Sequence, residues 1–288
     1  MKRKNSERNI VFLLKRAIAT LFEHKKILLP FFIIIFVQLL VLEILYFAPR
    51  YPLNIFFGPV ISTMWSERYL HYPANLLLLP KLFQYVQIPI YIFVSSFFIS
   101  VAIGVMININ DRKIILLRAI IKRTWPAYIH IVATAALSFL CMLFFLKIYG
   151  WAFDYALNIP DDTPMLVDTL KRVIVEGGPY LNLLFSVLVT TFFAYMFPII
   201  VIERKRFWQA LVINFEMVSR FFWITFLMVM IPSLCFVPMI ILRNSYAIQR
   251  SVPEVGILAL ILSIFVIVAI DAVVYTALTS FYLFKKDR

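Results

Sequence analysis

The sequence predicts an all-α integral membrane protein with six transmembrane helices, arranged as three weakly repeated hairpins. Three observations carry that prediction. Six apolar stretches, at about 27–47, 84–107, 126–147, 180–202, 222–242 and 256–283, each match or exceed the roughly 20 residues a spanning helix requires. Hydrophobic residues make up 63% of the 288-residue chain, against roughly 45–50% in soluble domains. The charges between the stretches are also sorted by side. Backbone facing lipid must satisfy its own hydrogen bonds, so the stretches are helices; the short alternating strands of a barrel are absent from the pattern.

The sorting gives an orientation. Most of the 28 Lys and Arg residues fall in segments that alternate spans place on one side. These are Lys2 to Lys26, Arg112 to Arg123, Arg204 to Arg220 and Lys285 to Arg288. The other side keeps Arg50, Arg68, Lys81, Lys147, Lys171, Arg172, Arg243 and Arg250. The positive-inside rule then places both termini in the cytoplasm of a bacterial inner (plasma) membrane, which an even number of spans permits. The net charge of +13 reads as topology plus attraction to anionic headgroups at the cytoplasmic face, and no motif points to nucleic acid. The chain divides into a cytoplasmic interfacial helix over 1–26, the six-helix domain over 27–284 and a cytoplasmic tail, 285–288. The first apolar stretch is long and lacks a small-residue cleavage site, so it reads as a retained helix.

Each hairpin opens with an amphipathic segment predicted to lie in the cytoplasmic interface. Residues 9–24 put Ile10, Leu14, Ala17, Ile18 and Leu21 on one face. Residues 111–123 do so with Ile114, Leu117, Ile120 and Ile121, and 204–220 with Phe207, Leu211, Phe215 and Val218. An alanine recurs in each: Ala17, Ala119 and Ala210. The outer loops 48–83 and 148–179 are predicted to rest on the outer membrane surface. The first is punctuated by Pro and aromatics, and the second carries a turn signal at Asn158–Asp162 and a short helix after it.

Catalytic signals are poor. His24, His71 and His130 have no metal-ligand spacing, and no nucleophile elbow or phosphate-binding glycine loop occurs. No metal and no cofactor is implied. Cys141 and Cys235 lie inside spans and read as buried apolar residues. The acids Asp154, Asp161, Asp162, Asp168 and Glu176 read as solvated loop residues, with a cation site as the alternative.

Two acids fall inside spans, where ionisable groups are expensive and mark function or helix pairing. Asp271 stands 14 residues before Lys285, roughly 21 Å from the inner boundary. It is expected to face the bundle interior and hydrogen-bond a hydroxyl, with Thr190, Thr191 and Tyr275 as the polar partners in reach. Either a neutral structural role or proton or ion coupling fits it. Glu43 lies near the outer end of the first span, where it can reach the interface or pair with Lys147. Pro232 and Pro238 put a kink in the fifth span, of a kind that shapes packing or a transporter's binding site. Only 6 glycines are present among 29 phenylalanines, which disfavours spans that slide past one another.

Residues 195–223 carry a further signal. Pro198 ends a span, Glu203 follows five residues on, Ala210-Leu211 comes seven after that, and Phe222 opens the next span. This resembles a pattern in bacterial multi-span proteins related to the membrane domain of glycerophosphodiester phosphodiesterases. Asn214 stands where that pattern has Ser, and Arg204 where it has Gly. The resemblance implies a six-helix domain with interfacial helices and no phosphodiesterase activity, because that enzyme's catalytic domain is not in this sequence.

Taken together, these readings lead to a membrane component without evident catalytic activity that associates with lipids or partner proteins. The alternative is a permease subunit of an ABC-type transporter, its cytoplasmic helices docking an ATPase. A polar-lined cavity with Asp271 or the Pro232/Pro238 kink at its wall separates the second from the first.

Overall fold

The computed structural model describes residues 10–159, 165–244 and 254–286. Lys2, Arg3, Lys4, Arg8, Asp161, Asp162, Arg250 and Arg288 lie outside them, as do the side chains of Met165, Leu166, Asp168 and Leu170. Among the described residues the chain is helical, without strands. Six helical stretches are long and apolar enough to cross a membrane: Lys25–Phe47, Ala74–Asn110, Leu117–Leu157, Gly178–Glu203, Phe207–Arg243 and Glu254–Lys286. The chain is a multi-pass helical membrane protein.

The spans differ from the sequence prediction in length and in continuity. The second begins ten residues earlier than 84, as α4 (Ala74–Pro89). Pro89, which cannot donate to the preceding turn, is followed by a π-helical segment at Ile90–Ser95 and then by α5 (Ser96–Asn110). A π segment leaves carbonyls misaligned, and the hydroxyl of Tyr128 donates to that of Phe93 at 3.2 Å. The third span runs from the short α6 (Leu117–Thr124) into α7 (Tyr128–Leu157), ten residues past its predicted end. The sixth, α13, spans Glu254–Lys286, so Lys285 and Lys286 of the predicted tail are helical. It packs on most other elements of the bundle.

Two spans are broken. In the fourth, α9 (Gly178–Phe192) and α10 (Met196–Glu203) are separated by a turn at 193–195. Pro198 sits in the first turn of α10, where its missing N–H would lack a helical partner anyway. In the fifth, α11 (Phe207–Ser233) carries a non-helical residue at Phe221, and Pro232 and Pro238 bracket a 3₁₀ turn at Leu234–Phe236 before α12 (Val237–Asn244). The first span is α2 (Leu28–Phe47).

The amphipathic segments pack differently from their predicted faces. In α1 (Ile10–Glu23) the buried stripe is Leu14, Ala17 and Leu21, packed on α13, while Ile18 is exposed. In the second copy the helix begins only at Leu117; Ile114 precedes it and is 83% exposed, and Ile120 rather than Ala119 is buried. In α11 the buried stripe is Ala210, Asn214 and Val218, and Phe215 points outward. The inward faces are narrow because close helix approach selects small side chains. Large apolar groups (Phe22, Trp208, Val212) are left outside. The first outer loop contains α3 (Asn54–Met64), which exposes Ile55, Phe56, Val60 and Met64, and the second contains α8 (Met165–Glu176).

Candidate intramembrane binding site

The two ends of the bundle are built differently. At the end that gathers Lys25, Lys26, Arg204 and Lys286, polar side chains tie three spans together. Asn214 is fully buried. Its Nδ2 donates to the carbonyl of Phe192 at 2.7 Å, and its Oδ1 accepts from the N–H of Tyr195 at 3.0 Å. One side chain from the fifth span thereby satisfies both strands of the break in the fourth. The hydroxyl of Tyr195 meets that of Thr225 at 2.7 Å, and its ring packs against Phe281 and Tyr282. Tyr282 donates to Glu203 at 2.7 Å, and Lys286 stands 3.5 Å from the same carboxylate. Arg204 closes α10 in the left-handed conformation, φ 54°, which favours glycine.

At the opposite end the spans splay around a cavity of about 680 Å³, within the range of small-molecule sites. Its walls are α4, α9, the α11–α12 kink and the first half of α13. The lining is polar in patches: Lys81 and Gln84 from α4, Asn182, Ser186 and Thr190 from α9, Ser233 and Arg243 from the fifth span, and Asp271 at the greatest depth. Asp271 lies 17 residues into the 33-residue α13, about 26 Å from its start and so near mid-membrane. A smaller cavity of about 120 Å³ shares Gln84, Arg243 and Ile267 with the first and adds Gln87 and Ser263. Beneath Asp271, Tyr275 is buried among Phe197 and Tyr91, and both phenols lie within electrostatic reach of the carboxyl.

At the mouth, the phenol of Tyr72 donates to Glu254 at 3.0 Å, joining the approach to α4 to the start of α13. That hydrogen bond to a carboxylate pushes Tyr72 above its ordinary value.

The sequence-predicted residues fall on and off this site. Asp271 and Thr190 line the cavity together, and Pro232 lies beside its wall residues Val229 and Ser233. Pro238 lies between the wall residues Phe236 and Ile240. Thr191 turns away, fully buried, with its hydroxyl on the carbonyl of Val187 at 2.7 Å. The hydroxyl hydrogen bond expected of Asp271 is not formed among the described residues: Asp271 looks into open space, and Tyr275 turns to Tyr91. Glu43 is exposed, and no ion pair joins it to Lys147, which lies over the ring of Trp151. Glu203, Ala210, Leu211 and Asn214 belong to the tied end, not the cavity. Cys141 is partly buried and Cys235 exposed. Among the described residues no group of three His, Cys, Asp or Glu side chains could hold a metal.

Sequence reasoning passed over most of the wall. Asn182, Ser186 and Thr190 recur at i, i+4, i+8 in an otherwise apolar stretch and mark one helical face, a signal legible in the sequence. Lys81 was hidden by starting the second span at 84. No protein-family model, curated protein or solved structure matches the chain.

Proposed function

We propose that this chain is a ligand-binding, permease-type component of a bacterial inner membrane, with both termini cytoplasmic. The observation that carries the proposal is the polar-lined cavity that descends to Asp271 at mid-membrane, with the Pro232/Pro238 kink at its wall. A bundle serving only as a scaffold has no use for a hollow in which, among the described residues, Asp271 makes no hydrogen bond and Asn182 Oδ1 has no partner. The broken fifth span beside the hollow suits a binding site, because irregular backbone in a membrane is tolerated where it lines a cavity or is buried in protein. The charge bias supports the orientation, and the exposed apolar residues of α1 and α11 support a place in the cytoplasmic interface or against a partner such as an ATPase.

Kinship with the membrane domain of glycerophosphodiester phosphodiesterases belongs to the same proposal. It draws support from Arg204, whose left-handed backbone is what a glycine there would adopt, and from Asn214, which fills a hydrogen-bonding position where that pattern has Ser. We assign the chain no catalytic step.

The test is purification in native nanodiscs, with mass spectrometry of what is retained, for the wild type and for Ser186→Trp, which sets a bulky ring at the cavity's edge. The proposal expects a stoichiometric small molecule or lipid on the wild type that is lost from the variant. An identical retained set from both would overturn it.

A further inference from the structure

We infer that the ligand of this cavity is an amphiphile with an anionic head, which reaches it sideways from the outer leaflet through a gap between the second and fourth spans. The inference rests on the reading of the hollow as a binding site and names what it binds.

The gap follows from which helices touch. The walls α4 and α9 face each other across the cavity and do not pack on one another. The third span covers α9, the π segment and α5, but it does not pack substantially on α4. In the outer half of the bundle the space between the second and fourth spans is therefore open at the side. Lys81, Gln84 and Ser186, at its edges, are all exposed, and Leu77 beside them is 51% exposed.

A polar stripe facing acyl chains is costly unless something polar covers it. A water-soluble solute is served by a hollow closed to lipid and open to water. A hollow open along its flank instead lets a headgroup travel inside, against amides and hydroxyls, while its tail stays in the bilayer. The rim chemistry selects the head. Lys81 has no ion-pair partner among the described residues, and Arg243 shares the wall above Asp271 with Leu260 and Ile267. Two cations at the level where a headgroup would enter favour a phosphate or carboxylate there. Asp271 lies about 6 Å further down α13 than Ile267, below the level of the two cations.

The experiment uses the full chain in nanodiscs with phosphatidylglycerol carrying a diazirine in its tail, and phosphatidylcholine labelled in the same way. After irradiation the adducts are mapped by peptide mass spectrometry. The inference expects phosphatidylglycerol adducts concentrated on residues 77–85 and 180–187. They should weaken several-fold with phosphatidylcholine and with Lys81→Glu, persist in Lys81→Arg, and be lost in Ser186→Trp. Equal labelling by the two lipids, or labelling indifferent to Lys81→Glu and Ser186→Trp, would overturn it. Suppression by glycerol phosphate, which has the head without the tail, would overturn it in favour of a soluble anion. In that case the native-nanodisc difference between wild type and Ser186→Trp survives. If that difference vanishes as well, the reading of the hollow as a binding site falls with the inference.

Discussion

The two halves of this bundle are made of the same apolar residues and reach opposite results. In the basic half, side chains from the fourth, fifth and sixth spans interlock: Asn214 spans the helix break at Phe192–Tyr195, Tyr195 meets Thr225, and Tyr282 and Lys286 converge on Glu203. In the loop half the same spans carry as many polar groups, yet Asn182, Ser186, Thr190 and Asp271 face a hollow. Polar content therefore does not distinguish a packed region from a binding region. What distinguishes them is that Asn214, Tyr195 and Glu203 are answered by other polar groups across helix interfaces, whereas Asp271 and Asn182 Oδ1 are not among the described residues. Where the groups are answered, the break in the fourth span is locked; where they are not, the kink at Pro232 opens space.

The contrast is sharpest in two asparagines. Replacing Asn214 by Leu removes both hydrogen bonds at the break and strands two buried backbone groups, which costs about 3 kcal/mol. The expected result is a large fall in the thermal unfolding midpoint in detergent. Asn182→Leu, by contrast, removes an Oδ1 that already lacks a partner, so its midpoint should stay or rise. Equal losses in the two variants would erase the distinction between the halves. Tyr195→Phe comes next, at about 1 kcal/mol, because Thr225 keeps its bond to the carbonyl of Phe221 and is not stranded. Arg204→Gly runs the other way: relieving a left-handed non-glycine residue should stabilise the basic half by up to about 1 kcal/mol.

The smallest effect is at the mouth and depends on pH. The Tyr72 phenol is held above its ordinary value by Glu254, so its contribution is complete below about pH 10 and is lost as pH rises through the raised value. Tyrosinate absorbance of Tyr72→Phe should lack one titrating group that the wild type shows above the ordinary tyrosine range.

Much of this was legible in the sequence. Hydropathy located all six spans, and an acid within an apolar stretch singled out Asp271. The interruptions were harder to see. The break at 193–195 contains no glycine or proline; it is fixed by Asn214, 19 residues on, and a contact across helices leaves no local trace. Pro198 was the nearest signal, lying beyond the break. The buried stripe of α1 was legible except for Ile18, which is exposed, whereas that of α11 was misassigned because periodicity ranks large apolar residues first: Ala210 and Asn214 are buried and Phe215 points outward. Lys81 was read as a loop charge because an aliphatic stem allows a lysine to sit inside the end of a span.

Solvent access to the two halves is the most direct test. In a background with Cys141→Ser and Cys235→Ser, single cysteines at Ser186, Thr190 and Ala277 would be exposed to a membrane-impermeant thiol reagent in nanodiscs. Ser186→Cys and Thr190→Cys should react, because their side chains line the open hollow, and Ala277→Cys, in the packed half, should not. Silence at all three positions, or equal reaction at Ala277→Cys, would contradict a bundle that is open in one half and closed in the other.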